Sequence, residues 1–455
     1  MRKLLFPVFA GLFSIIFMGS CESEMPSSSS VSVEEAERVN VWVYQTMRDN
    51  YLYWTNRDSA DFNYTLQPAE FFAGIKSNSD TFTSFAKISD ITSKTTYDIG
   101  FEYAINNYRG DGVTYYVVLY TKPGTLAHSN MKRGDNIIAV NGTEVTEQNA
   151  ETLLSNAIQE GNNVSLSYMR PPQSLPVDVD FPVLASSDDP IANENPIYTV
   201  TDTVMGSIKV GYLAYNKFSS DFNTQLQTAL TGLSGKGINY FVLDLRYNPG
   251  GDLSPIGVLG SALVENRVAN EPFMIYDRRE GIANLQIPIS DNASIPKLGD
   301  QLNKIYIITG QYTASASEAF INALRAYRPS DVVLVGEKTA AGANNNIATV
   351  SGRDEKNQWL LSNIPIGYMA DKDGNSSYTN GFTPASKYLV NDVNPDEIEA
   401  MLPLGVTSER IYKAIIDDIR GVRSLKSINQ STDSYRMPSS IMSKSWANTA
   451  IADVE

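Results

Sequence analysis

The sequence predicts a multidomain α/β protein, and three observations carry that expectation. From Gly206 onward, strongly apolar strand-like runs alternate with helical segments, the texture of a layered α/β domain around a buried sheet. Between about residues 90 and 172, short β-runs separated by Gly, Asn and Asp turns take over. Ahead of both lies a stretch with helical periodicity. At 455 residues, 42% hydrophobic and 19% charged, the chain can build two or three domains with sizeable cores.

Taken in order, residues 1–20 read as an export leader: Arg2 and Lys3, an apolar middle, then Met18-Gly19-Ser20 before Cys21. Residues 21–30 form a Ser-rich tether with no apolar face to bury. Residues 31–89 predict a small helical unit, because Val39, Val43, Met47, Tyr51 and Trp54 recur every three or four positions and Pro68 to Lys76 reads as a second short helix. In 90–172 the strands are FEYAI, VTYYVVLY, NIIAVNG and VSLSYM, with one helical segment at Glu147 to Ala157. Residues 173–205 read as a linker. The α/β unit, 206–422, runs through GSIKVGYLAYNKF, a helix at Asp221 to Leu233, NYFVLDLRYN, a helix at Ser254 to Val264, KIYIITG, a helix at Ser317 to Tyr327, and VVLVGEKT. Residues 423–455 are polar and weakly patterned, a tail.

Composition narrows the function. A net charge of −15 argues against a broad polyanion-binding surface, so nucleic acid is not an expected partner. One histidine, His128, and one cysteine, Cys21, with no HExxH, leave no common zinc arrangement, and no metal is expected. Gly250-Gly251 is not followed by a Lys-Ser or Lys-Thr phosphate cradle, and no cofactor is expected. QYTASASEAF places Thr313, Ser315 and Ser317 among small residues between an apolar run and a helix, which raises the question of a hydroxyl nucleophile. Helix N-caps also favour Ser and Thr, so this segment alone does not separate nucleophile from cap.

Three resemblances sharpen the picture. The leader ending at Cys21 resembles the lipobox of bacterial lipoproteins, which implies a diacylglycerol on that thiol and a lipid anchor in the cell envelope, facing the periplasm or the cell surface. Asp98-Ile99-Gly100-Phe101-Glu102 looks like the carboxylate-binding loop of PDZ domains, and Met131-Lys132-Arg133-Gly134-Asp135-Asn136-Ile137-Ile138-Ala139-Val140-Asn141-Gly142 is similar to that family's rGDxIxxVNG segment. The resemblance implies a PDZ-like domain that holds a peptide C-terminus through Ile99, Gly100 and Phe101. Finally, Asp244-Leu245-Arg246-Tyr247-Asn248-Pro249-Gly250-Gly251, then Thr313-Ala314-Ser315-Ala316-Ser317-Glu318, then Val335-Gly336-Glu337-Lys338-Thr339 resemble, in order and texture, the signatures of the S41 tail-specific, or C-terminal processing, serine peptidases.

That family implies a crotonase- and ClpP-like peptidase domain, Ser315 as nucleophile, and an oxyanion hole from Gly250 or Gly251 with Ala316. Its substrate would be a polypeptide. The chain departs from the pattern at the general base: the family lysine falls on or near Gly342, within Ala340-Ala341-Gly342-Ala343. Lys338, in the variable site of the GExT motif, is the nearest replacement and reaches Ser315 only if this loop is rebuilt. His128 is expected on a surface loop. Where relatives read Gly-x-Thr-Pro-Asp, this chain has Ala385. Two functions stay open: a serine peptidase, or a peptide-binding protein on the same scaffold without catalysis.

Overall fold

The computed structural model describes residues 30–90, 97–106, 114–173, 175–185, 196–340, 342, 344–393, 401–422, 437–444, 447 and 450–452. The leader, Cys21 and nearly all of the tether lie outside them.

The sheet that positions the site is built from the apolar runs. Among the described residues it has five strands, in the order Ile197–Met205, Ile208–Tyr215, Tyr240–Asp244, Lys304–Thr309, Val332–Gly336. The first pair is antiparallel and the other neighbours are parallel. Alternating side chains along each strand leave opposite faces, so one face sends Leu213, Phe241, Leu243, Ile305 and Ile307 into a core shared with the helices Asn223–Gly235, Ser254–Leu263 and Ala316–Tyr327. The other face sends Tyr212, Val242, Tyr306 and Ile308 against Ile411, Tyr412 and Ile415 of the helix Arg410–Ile419. A sheet buried on both faces explains the near-continuous apolar strands.

A second sheet, seven-stranded, packs beside the first; its path runs Gly251–Asp252, Ala450–Ile451, Ile347–Arg353, Trp359–Ala370, Pro272–Asp277, Leu285–Pro288, with Ser84–Lys87 also on the Trp359–Ala370 strand. The N-terminal helix Val33–Asn50 starts at Ser32, whose side chain accepts from the Glu35 N–H, and buries Val39, Val43 and Met47 completely. Those side chains belong to the same core as the α/β unit. Truncating Met47 to Ala would cost about 2–5 kcal/mol. The helical segment predicted over 31–89 is therefore not a free-standing unit: Arg38 pairs with Asp354 at 2.5 Å, and Leu52 donates to Pro365 O at 2.7 Å.

Among the described residues the β-rich unit has a six-stranded sheet whose path runs Phe101–Asn106, Tyr115–Thr121, Asn136–Val140, Val164–Met169, Val177–Phe181, with Thr143–Glu144 also on the Asn136–Val140 strand and Phe101–Asn106 at an edge. Its core holds Ile99, Phe101, Val118, Ile137, Leu166 and Phe181.

Two expected boundaries need correction. Within 173–205, the described residues include strands rather than linker alone. Val177–Phe181 completes the β-rich sheet, and Ile197–Met205 is an edge strand of the central sheet, with Val200, Asp202 and Val204 outward and Thr199, Thr201 and Thr203 half-buried. Nor are residues 423–455 simply a tail. Among those described, Ser439 pairs with Ala104, Ile441 is 2% exposed, and Ala450–Ile451 forms a strand between two others. Strands this short leave no periodicity for a sequence reading to find.

Candidate active site

Three sequence motifs converge because they leave the C-terminal ends of three adjacent parallel strands. Asp244 is level with Ile308, and Thr309 with Gly336. Ligand sites of open α/β sheets lie beyond such ends.

The first turn, 245–251, is fixed by Asn248. Its carboxamide donates to Tyr215 O at 2.8 Å and accepts from the Gly250 N–H at 3.0 Å. Its carbonyl accepts from Ala314 N at 3.2 Å and from Ser317 Oγ at 2.9 Å, which ties the Ser315 turn to the glycine strand end. Gly251 sits at φ 127° with Phe218 O only 2.1 Å from where a Cβ would be, so no side chain fits. Thr313 closes the second turn, donating to Leu245 O at 2.7 Å and accepting from the Gly310 N–H at 2.9 Å.

Ser315 is the N-cap of the helix Ala316–Tyr327, with φ 55° and ψ −113°. A non-glycine residue there costs roughly 1–3 kcal/mol, tolerated because the surrounding bonds over-determine it. Ser315 is 1% exposed; its Oγ faces the Glu318 N–H in a capping box but makes no bond of full hydrogen-bond geometry among the described residues. Its N–H donates to Glu318 Oε2 at 3.1 Å. The adjacent first-turn N–H of Ala316 projects from the positive end of the helix dipole.

Glu318 is fully buried and heavily committed. Besides Ser315 N, its carboxylate accepts from Thr339 Oγ1 at 2.6 Å and from Asn345 Nδ2 at 2.8 Å. It anchors the third segment against the Ser315 turn.

The structure places the expected site residues unequally. Ser315, Ala316 and the Gly250–Gly251 strand end come together. The Gly250 N–H is taken by Asn248 and Gly251 pairs with Ala450, so of the expected oxyanion donors Ala316, at the helix start, is the one with no such commitment among the described residues. Lys338 is partly exposed and is not in hydrogen-bond contact with Ser315 Oγ. A Cβ on Gly342 would meet Asn345 Oδ1 at 2.6 Å, so the place where the resemblance puts a lysine is covered by a carboxamide. Ile99 and Phe101 are 3% and 2% exposed, their side chains in the core, and the Gly100 N–H donates to Asp98 Oδ1 at 2.6 Å. His128 lies exposed on the short helix Leu126–Asn130, its Nδ1 3.1 Å from Thr121 Oγ1.

Sequence reasoning missed the buried charge network under the first motif. Arg246, 1% exposed, contacts Asp244 at 2.8 Å, Asp392 at 2.6 Å and Glu409 at 2.9 Å. Arg133 reaches Asp392 at 2.5 Å from the β-rich unit, and Tyr247 Oη donates to the same carboxylate at 2.5 Å. Burial alone would raise Asp392, yet Arg133 and Arg246 hold it down to about 2. Glu337 is pushed up to about 7 by burial and by the charge of Asp392. Only the apolar strand around Arg246 hinted at its burial; its acidic partners are remote in sequence.

A serine on a strained turn at a helix start thus lies beside a glycine strand end on a layered α/β fold, an arrangement of the kind serine hydrolases use. Residues 209–387 match the model of peptidase family S41. The chain is 30% identical over 226 residues to a carboxyl-terminal-processing protease of Picosynechococcus, covering 49% of each protein. It is 24% identical over 270 residues to carboxyl-terminal-processing peptidase 1, chloroplastic, of Arabidopsis thaliana, covering 57% of this chain and 51% of that one. The chain thus spans about half the length of these curated relatives. A structure described as an S41 protease of Bacteroides fragilis has the same fold, with a TM-score of 0.64 and 24% identity over 84% of this chain and 98% of that one.

Proposed function

We propose that the chain is a serine peptidase of the C-terminal processing type that hydrolyses polypeptides by acyl transfer. The observation that carries this reading is Ser315: strained, buried, its Oγ without a full hydrogen bond, at the start of a helix whose Ser317 is tied through Asn248 to Gly250. In the reaction, Oγ bonds to the scissile carbonyl carbon while its proton passes to a base. The carbonyl oxygen becomes an oxyanion facing the N–H of Ala316. Collapse breaks the C–N bond, the amine leaves with the proton, and water then hydrolyses the ester on Ser315.

Lys338 is the proposed base, reaching Ser315 when a bound peptide re-sets the segment from Lys338 to Asn345; catalytic hydrogen bonds commonly tighten only in the substrate complex. The relatives' protease names do not favour the non-catalytic alternative. The test is incubation of the protein lacking residues 1–21 with an unfolded polypeptide, beside Ser315→Ala. Cleavage lost in the variant supports the proposal; equal cleavage by both overturns it.

The reading extends to export and lipid attachment at Cys21, supported by the basic start, the apolar stretch and the lone cysteine. Among the described residues no helix is long and apolar enough to cross a membrane. Incorporation of a fatty-acid analogue that persists in Cys21→Ser would overturn lipidation at that residue. The β-rich unit is proposed to be PDZ-like and to bind peptide along Phe101–Asn106, its edge strand, an arrangement that supplies main-chain affinity.

A further inference from the structure

The free edge of Phe101–Asn106 is already occupied, and by this chain. Ser439 lies antiparallel to Ala104, and Ile105 N donates to Pro438 O at 2.8 Å. Ser440 Oγ accepts from the Tyr103 N–H at 2.9 Å and donates to Glu102 Oε2 at 2.5 Å. The segment runs toward the Gly100 turn. After one short turn, Ser440–Ser443, Lys444 Nζ lies 2.9 Å from Glu102 Oε1 and 3.3 Å from Asp98 Oδ2.

The charges there are unevenly supplied. Asp98, Glu102 and Lys122 come from the β-rich unit, with side chains only 14%, 2% and 4% exposed, and Lys122 contacts both carboxylates at 2.6 and 3.0 Å. Two buried anions against one cation leave one negative charge, which Lys444 neutralises. An uncompensated buried charge is costly, so the surface asks for a cation on whatever strand it accepts. Burial would raise Asp98, but Lys122 and Lys444 hold it down to about 2.

The same segment also meets the catalytic side. Ala450–Ile451 runs parallel to Gly251–Asp252, Leu253 N donates to Ile451 O at 2.8 Å, and Ala452 N donates to Thr349 O at 2.8 Å. Residues of one terminal segment thus lie on both backbone edges that a peptide would use.

We propose that the Asp98–Glu102 edge is a peptide-docking surface selective for a segment with a hydroxyl residue and, four positions toward its C-terminus, a cation, and that residues 437–444 occupy it in cis as a competitor. This rests on the peptide-binding reading of the β-rich unit. A polypeptide carrying that pattern displaces the internal segment, with Ser440 and Lys444 as the template for what is recognised.

The test uses fluorescence anisotropy of a labelled peptide, MPSSIMSK, the sequence of 437–444, with the full chain carrying Cys21→Ser. Lys444→Glu sets a like charge beside Asp98 and Glu102, loosens the internal segment and should tighten probe binding about tenfold or more, a shift of about 1.4 kcal/mol. Ala104→Cys with Ser439→Cys spans a narrow antiparallel pair, where Cα atoms lie about 4.5 Å apart, within disulfide reach. Oxidised, this form should exclude the probe; reduced, it should bind as the parent does, which also shows that it folds. Binding of the probe equally to oxidised and reduced forms, or its failure to bind Lys444→Glu, overturns the proposal. Because anisotropy needs no cleavage, a protein that shows the predicted binding but cuts nothing would sink the peptidase reading and leave this one standing.

Discussion

The carboxamide of Asn345 covers Gly342: its Oδ1 lies 2.6 Å from where a Cβ on Gly342 would stand, while its Nδ2 holds Glu318 at 2.8 Å and Ala340 O at 2.5 Å. A neutral amide thus fills the place that the family resemblance assigns to a general base. The segment is braced rather than open, with Gly342 N donating to Thr379 O at 2.9 Å and Thr339 N to Phe382 O at 3.0 Å.

A lysine at 342 alone collides with Asn345, so Gly342→Lys should change little. Paired with Asn345→Ala, which removes the carboxamide in its way, the lysine has space at 342. Since a positioned base contributes about 10²–10⁴-fold, the double variant should raise kcat at least about tenfold. Steady-state cleavage of an unfolded polypeptide checks this; a double variant no faster than the single one would place the base slot elsewhere.

Lys338 carries the proposed proton transfer in the native chain. Lys338→Ala should lower kcat about 10²-fold with KM nearly unchanged, the pattern of an interaction made only in the transition state. An unchanged kcat removes Lys338 from the mechanism.

Acid should destabilise the fold through Asp392. Its pKa in the fold is about 2 against an ordinary 3.8, so the folded state resists protonation. The stability this contributes is complete above the ordinary value and is lost as pH falls through about 2. Arg246→Met removes one of its cations and, by leaving buried carboxylates uncompensated, should cost about 3–5 kcal/mol at neutral pH. Urea unfolding at a series of pH values measures both effects.

Glu337 has the opposite sign. With a folded pKa of about 7 against 4.5, the folded state holds the proton more tightly, so stability falls as pH rises from about 4.5 to about 7. Partial exposure trims the effect to on the order of 2 kcal/mol. Glu337→Gln should flatten that slope and stabilise the protein at pH 8; a slope that survives would assign it to another group.

Much of this architecture is legible in the sequence where local pattern and burial agree. The strands Tyr240–Asp244, Lys304–Thr309 and Val332–Gly336 are apolar because helices cover both faces, and their ends place the three motifs together. Ile197–Met205 reads as linker because this edge strand mixes half-buried Thr with exposed Val and Asp, so no apolar face stands out. The partners of Arg246 at 392 and 409 are set by tertiary proximity, which no periodicity encodes. The covering of Gly342 by Asn345 is equally invisible, since a run of asparagines also describes an ordinary turn. For Gly250, the motif locates the backbone correctly, but only the structure reveals that Asn248 already takes its N–H.

The most direct test of the account is covalent labelling with a serine-directed fluorophosphonate, read by peptide mapping on the mass spectrometer. The account predicts a single adduct on Ser315, no adduct in Ser315→Ala, and loss of polypeptide cleavage in step with labelling. Retained cleavage after complete labelling of Ser315, or full cleavage by Ser315→Ala, would contradict it.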